Sequence, residues 1–337
     1  MESLLDWCAQ HVRPEEGHAL GLSMVSGDAS FRRYYRLTGC RPSLVAVHAP
    51  PDKERNLEFT RVAALLRGAG VHAPHVLAFE PASGFLLLED LGDTLLRANL
   101  DGASVDRLYG LAMSTLQDIQ RAPVTAADWA LPPYSEALLR QEMGLFPEWF
   151  LQQLLGIAPT DVESALIGRT FDALVGSALA QPQVLVHRDY HSRNLMLLDD
   201  GSLGVIDFQD AVCGPITYDL VSLLRDCYVS WPPQRVRGWA LVYAGRATRT
   251  GIMPAVPEQA FLRWFDLMGL QRHIKVLGIF ARLWLRDGKP GYLRDLPLVM
   301  RYTLEVASAH PETADFAEWF RERVLPQAAR HAWFGPV

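Results

Sequence analysis

The chain has 337 residues, 49% hydrophobic and 21% charged, which is the composition of a globular protein with room for two domains and a sizeable core. Its formal net charge of −6 argues against a general nucleic-acid binder, no apolar run reaches membrane-spanning length, and Met1-Glu2-Ser3-Leu4-Leu5-Asp6 lacks the features of a signal peptide, so a cytosolic location is the default expectation. Cys8, Cys40, Cys213 and Cys227 form no Cys-x-x-Cys pair, which suggests neither zinc nor a disulfide framework.

Residues 3–12 read as a short helix and 27–30 as a turn. Two strands follow, 31–37 and 43–47, the second ended by Pro50-Pro51. The stretch 56–68 is helical, with Leu57, Val62, Leu65 and Leu66 as its apolar residues, and 76–80 and 84–89 read as a further strand pair before Leu91-Gly92-Asp93 breaks the pattern. From residue 105 onward helical periodicity dominates, over 108–119, 135–146, 170–179, 218–228, 235–248, 258–287 and 296–310. The exception is a group of short apolar runs at 184–186, 195–198 and 203–206, the last two joined by the turn Asp199-Asp200-Gly201. The pattern predicts an α+β chain of two lobes: a small strand-rich N-lobe over 1–92 and a larger helical C-lobe over 93–337. A nucleotide is expected near the boundary, since clefts between lobes are common ligand sites.

Among those short runs lies Val186-His187-Arg188-Asp189-Tyr190-His191-Ser192-Arg193-Asn194, and thirteen residues after Asn194 comes Asp207. Transfer of a γ-phosphoryl group depends on positioning and charge neutralisation. It needs a carboxylate for the proton of the attacking hydroxyl and oxygen ligands for Mg²⁺, a hard ion held by few protein groups plus phosphate and water. Asp189 fits the base, and Asn194 and Asp207 fit the metal ligands. A plain polar hairpin accounts for the turn but not for His187, Asp189, Asn194 and Asp207 together.

Ser26-Gly27-Asp28-Ala29-Ser30, followed by Phe31-Arg32, sits where a phosphate-covering loop belongs, because small residues let backbone N–H groups approach phosphate oxygens. The plain alternative is a hairpin turn. Glu58 lies on the first-lobe helix, where kinases place a Glu that pairs with a strand Lys; its alternative is a solvated carboxylate. The strand that should end in that Lys reads Leu44-Val45-Ala46-Val47-His48, and a neutral His is no fixed cation. Arg32, Arg33 and Lys53 are all available as the missing charge, and spacing does not choose among them. Leu86 to Gly92 has the form of an inter-lobe hinge, with Glu89 and Leu91 as the backbone contacts to an adenine edge, or else a strand and a turn. Asp219 is either a helix N-cap or a support that ties down the loop around His187.

With these residues in place, the chain resembles the aminoglycoside phosphotransferase and choline kinase superfamily, from Gly27 to about Arg286. The resemblance implies a protein-kinase-like fold. His191, and Gln209-Asp210 after Phe208, match its small-molecule kinases better than protein kinases. More narrowly, Gly27 to Tyr34, His187 to Asn194 and Gly269 to Gly278 resemble the bacterial cell-wall sugar kinases. That resemblance implies ATP, Mg²⁺ and an amino-sugar acceptor, N-acetylmuramate or N-acetylglucosamine, phosphorylated at the anomeric hydroxyl in peptidoglycan recycling, with no nucleic-acid, membrane or obligate protein partner. It also implies a subgroup without the strand Lys.

The late helix is basic. Arg272 and Lys275, three apart, share a face with His273 nearby, and Arg193 lies in the catalytic loop. An Arg can clamp a carboxylate in a bidentate way, which suits the lactyl group of N-acetylmuramate; a solvated basic face is the alternative. Another acceptor, such as an aminoglycoside, choline or homoserine, stays open, with Asp128, Glu136 and Glu142 as available acids. So does a non-catalytic kinase-like module, favoured only by the missing Lys.

Overall fold

The computed structural model describes residues 2–26, 31–126 and 129–335. The turn at Gly27, Asp28, Ala29 and Ser30 and the acid Asp128 lie outside the described residues. In chain order the elements are α1 (Glu2–His11), β1 (Gly21–Ser26), β2 (Arg33–Thr38), β3 (Leu44–His48), α2 (Asn56–Gly68), β4 (Val76–Glu80), β5 (Phe85–Glu89) and α3 (Val105–Arg121). The two-residue strands β6 (Thr125–Ala126) and β7 (Trp129–Ala130) precede α4 (Glu136–Leu145), which runs on as a π-helical stretch over Phe146–Leu154. Then come α5 (Asp161–Leu179), β8 (Gln183–Val186), β9 (Leu195–Leu197), β10 (Leu203–Val205), β11 (Val212–Pro215), α6 (Tyr218–Leu224), α7 (Pro233–Arg249), α8 (Glu258–Leu285), α9 (Leu296–Ala309), α10 (Pro311–Trp319) and α11 (Leu325–Ala328).

Packing divides the chain into two compact units, 1–123 with 193–211, and 124–192 with 212–337. In the first, the strands form one antiparallel sheet in the order β1-β2-β3-β5-β4. The pleat sends alternate residues to opposite faces. Tyr35, Leu37, Leu44, Ala46 and Leu87 form a core with Leu4 and Cys8 of α1. On the other face, Tyr34, Val47, Leu86 and Leu88 come together with Arg32 and with Phe59 of α2. Helix α2 buries Phe59, Val62, Ala63 and Leu66, which recur every three or four residues. The β9–β10 hairpin joins this unit through backbone bonds from Val205 N–H to the His72 carbonyl and from Leu197 N–H to the Thr94 carbonyl, 2.9 and 2.8 Å.

The second unit is built around α8, a helix so buried that Gln271, Arg272, His273 and Lys275 are all out of solvent. At Gly278 an added Cβ would lie 2.4 Å from the Leu145 carbonyl carbon, so only glycine allows this approach to the end of α4. Strand β8 pairs antiparallel with β11, which the sequence pattern had not suggested. Two other elements also depart from expectation. Strand β1 is a sheet edge whose Met24 and Val25 are exposed, so it lacks a clean alternation. Helix α6 stops at Leu224 rather than continuing to 228, and Asp226 beyond it accepts the N–H of Ser192 instead.

Candidate active site

The first unit carries the expected metal loop. Ile206 N–H donates to the Asn194 carbonyl (3.1 Å), closing the base of the β9–β10 hairpin and bringing both candidate ligands together. Asn194 Nδ2 donates to Asp207 Oδ2 (3.2 Å), and Gln209 Nε2 donates to Asp207 Oδ1 (2.8 Å). Asp207 has φ +66°, a conformation disfavoured for any residue but glycine and one that clusters at functional sites. Its neighbour Phe208 is fully buried and stacks on Phe59 at 4.8 Å, which anchors the loop while Asp207 stays exposed.

The expected hinge lies in the same unit. Glu89 N–H donates to the His75 carbonyl (2.9 Å), so its backbone can offer a ligand only the carbonyl. The Glu89 carboxylate is held by His72 Nε2 (2.8 Å), Arg67 (3.3 Å) and His75 N–H (3.1 Å). Desolvation pushes its pKa up, but those partners outweigh it and hold the group below the usual range. Next to it, Asp90 accepts two bonds from Arg36 (2.6 and 3.1 Å), one from Ser43 Oγ (2.5 Å) and one from Gly92 N–H (3.0 Å). That clamp fixes the segment leading to Leu91, and the sequence pattern did not reveal it.

In the second unit, β8 delivers His187, Arg188 and Asp189. Asp219, at the first turn of α6, accepts the backbone N–H groups of His187 (2.7 Å) and Arg188 (3.0 Å). Burial pushes its carboxyl up to about 6, against the opposing pull of His187 and the two donors. Arg188 has φ +78°, the second strained non-glycine position among the described residues. Ser192 donates to Asp226 Oδ2 from both N–H (3.1 Å) and Oγ (2.5 Å), so the loop is tied at both ends.

The Asp189 carboxyl is pushed up by desolvation and pulled down more strongly by Lys275, His191, Arg272 and Arg188, so it sits below the usual carboxylate range and is ionised. Its cationic setting comes from α8. Lys275 pairs with Glu142 (3.0 Å) and donates to Tyr218 Oη (3.0 Å). Glu142 also accepts from Arg188 and from Tyr134 Oη. Arg272 is 4% exposed; its Nη1 reaches Cys227 Sγ at 3.5 Å, and its Nε has no hydrogen-bond partner among the described residues. His273 is fully buried, stacked on Tyr302 at 5.0 Å and 3.3 Å from the Arg225 carbonyl, and burial pushes it down to about 3. It therefore lies within the packing of α8 beside Arg272, whose side chain is likewise buried. Arg272, His273 and Lys275 are therefore interior rather than on a solvated face.

With this geometry described, comparison places it. The model of a phosphotransferase enzyme family matches residues 21–255. The chain belongs to that family. The N-acetylmuramate/N-acetylglucosamine kinase of Pseudomonas aeruginosa is 47% identical over 329 residues, covering 96% of each chain. The kinase of the same name from Pseudomonas putida is 46% identical over 301 residues, 89% of this chain and 88% of its own. Among solved structures, an ethanolamine kinase of Plasmodium vivax superposes with a TM-score of 0.66 at 13% identity, covering 89% of this chain and 86% of the other. The fold is therefore that of the protein-kinase-like phosphotransferases, α+β with a strand-rich N-terminal part and a helical C-terminal part, and the chain is a kinase. A kinase family implies ATP as co-substrate.

Other expected residues of this phosphotransferase are placed as follows. Glu58 pairs with Arg55 at 3.6 Å rather than with a strand cation. His48 lies on the α1 face of the sheet, edge-on to Phe85 at 5.5 Å. Phe31 donates its N–H to Glu54 Oε1 (2.9 Å), Arg32 is buried, and Arg193 is half-buried at the head of 193–211. Of the acids that might draw a cationic acceptor, Glu142 is committed to internal cations and Glu136 pairs with Arg140 at 2.8 Å. Among the described residues no three His, Cys, Asp or Glu side chains cluster to hold a metal, and no helix is long and apolar enough to cross a membrane. The Asp207 carboxylate and the Asn194 amide are hard oxygen donors, and so small a set fits Mg²⁺, which takes its other ligands from phosphate and water.

Proposed function

We propose that this phosphotransferase moves the γ-phosphoryl group of ATP to the anomeric hydroxyl of N-acetylmuramate and N-acetylglucosamine, giving sugar 1-phosphates in peptidoglycan recycling. The observation that carries the reading is the nearly full-length similarity to kinases bearing that name. Asp189, kept ionised by Lys275, His191, Arg272 and Arg188, orients the acceptor hydroxyl and takes its proton. Asn194 and Asp207 would hold Mg²⁺, with Gln209 steadying the Asp207 carboxylate. A metal ion held there would supply charge neutralisation for phosphoryl transfer. The Glu89 carbonyl and the Leu91 N–H meet the adenine edge, and 26–32 covers the phosphates. Asp219 and His187 support the loop. Arg193, Arg272 and Lys275 set the charge around the acceptor. A cytosolic location suits an ATP-dependent reaction on a small sugar.

The test is a sugar-by-sugar assay with ATP and Mg²⁺, read by NMR: phosphorus coupling to the anomeric proton identifies both reaction and position. Asp189→Ala should lower turnover by about 10³-fold while ATP still binds, as expected for loss of a positioned base. An anomeric proton without phosphorus coupling, or near-wild-type turnover in the variant, overturns the assignment.

A further inference from the structure

Kinases of this fold need a fixed cation over the nucleotide phosphates, and in this chain the strand that should supply it carries none. The pleat explains why His48 is no substitute. Leu44 and Ala46 belong to the α1-side core and His48 follows them, whereas Val47 points the other way, 1% exposed, toward α2. The strand position that faces α2 is thus apolar. Of the other cations nearby, Arg33 is exposed, and Lys53 is exposed and paired with Asp52.

Arg32 differs from both. It is 3% exposed, although it directly precedes an otherwise solvent-tolerant strand end. It packs on the α2 side of the sheet with Tyr34, Val47 and Phe59. Its Nε is 3.4 Å from Glu54 Oε2, and its guanidinium lies 5.2 Å over the Phe59 ring. That same ring stacks on Phe208, the residue after Asp207. Tyr34 is influenced by both Arg32 and Asp207, which places the three in one neighbourhood of the first unit. Glu54 meanwhile accepts the N–H of Phe31, so one carboxylate holds both the Arg32 side chain and the backbone just before it. Burying a guanidinium is costly unless it is paired, so its interior placement calls for a charged purpose.

We propose that Arg32, oriented by Glu54, is the phosphate-contacting cation of this kinase, doing from the residue before β2 what a strand Lys paired with a helix Glu does elsewhere in the fold. The proposal rests on the ATP-dependent reading but not on the identity of the acceptor.

The experiment is calorimetric titration of the full-length protein with adenosine, ADP and ATP in the presence of Mg²⁺, for wild type, Arg32→Met, Arg32→Lys and Glu54→Gln. A cation on the phosphates makes the loss grow with phosphate number. Arg32→Met should weaken ATP by about tenfold or more, the scale of a lost charged hydrogen bond, weaken ADP less, and leave adenosine unchanged. Arg32→Lys should recover most of the ATP affinity, and Glu54→Gln should show a smaller loss of the same graded kind. Equal losses for adenosine and ATP, or wild-type affinity for ATP in Arg32→Met, overturn the proposal. Should Arg32→Met fail to melt cooperatively, Glu54→Gln and Arg32→Lys decide by the same criterion. No acceptor is present, so a wild-type protein that binds ATP but phosphorylates neither sugar sinks the sugar reading alone. A wild-type protein that does not bind ATP sinks both.

Discussion

Arg272 shows how burial changes the meaning of a charged residue. In the sequence it is one of several basic positions on a helix, and such runs usually mark a solvated face. In the structure it is interior, near enough to Asp189 to help keep that carboxylate ionised, with an Nε that no group among the described residues satisfies. A buried, always-charged group with an open donor suits a ligand carboxylate. N-acetylmuramate carries one and N-acetylglucosamine does not. Arg272→Ala should therefore reduce kcat/KM for N-acetylmuramate by about 10- to 100-fold more than for N-acetylglucosamine, the range of a charged hydrogen bond. Equal losses with the two sugars, measured side by side, would remove the clamp and leave Arg272 only its effect on Asp189. What the sequence showed here was the cluster. What it hid was the sorting of that cluster into one candidate clamp, one lysine consumed by Glu142 and Tyr218, and one histidine neutralised by packing.

Elements were most legible where the pattern was local. The hairpin turn at Asp199-Asp200-Gly201, the helix 56–68 and the strand pair 76–80 and 84–89 follow from turn residues and apolar spacing, and they appear as β9–β10, α2 and β4–β5. The misses were elements set by partners. Strand β11 is only four residues long and exists because β8 pairs with it. The start of α5 was readable in principle: Thr160 and Glu163 form a capping box ten residues before the periodicity becomes clear at 170. Helix packing within the second unit offers a sharper test. In Gly278→Ala the new methyl meets the Leu145 backbone, which cannot yield as a side chain tip would. The gain in helix propensity, up to ~1 kcal/mol, is smaller than the overpacking cost of about 1–3 kcal/mol, so the variant should melt lower by a few degrees. Gly168→Ala in α5, where nothing lies within 4 Å of the new carbon, should be neutral or stabilising. Equal shifts for both in a thermal melt would show that the α4–α8 approach is not the constraint.

At the scale of the whole chain, lobes at 1–92 and 93–337 are a linear reading, whereas compactness follows a discontinuous cut that returns 193–211 to the first unit. No sequence pattern announces such a return, because the bonds that cause it, Val205 to His72 and Leu197 to Thr94, join residues more than a hundred positions apart. The second unit has its own long-range fastening in Glu142, which joins α4 to Arg188, the residue before Asp189, and to Lys275 in α8. Desolvation pushes the Glu142 carboxyl up, but Lys275 and Arg188 outweigh it and hold the pKa below the ordinary value of 4.5. A carboxylate whose folded pKa is depressed stabilises the fold above the unfolded value and loses that contribution as pH falls through the folded one. Glu142→Gln removes the charge and leaves two buried cations facing each other, so at pH 7 it should cost on the order of 3 kcal/mol, as for breaking other buried pairs. As pH falls below 4.5 the unfolded chain takes up this proton before the folded one does, and the gap between the two proteins should narrow. Urea denaturation of both across pH 3.5 to 8 measures that gap directly, with all other carboxylates common to the pair. A difference that stays constant over the whole range would mean that Glu142 acts through shape and hydrogen bonding rather than through its charge.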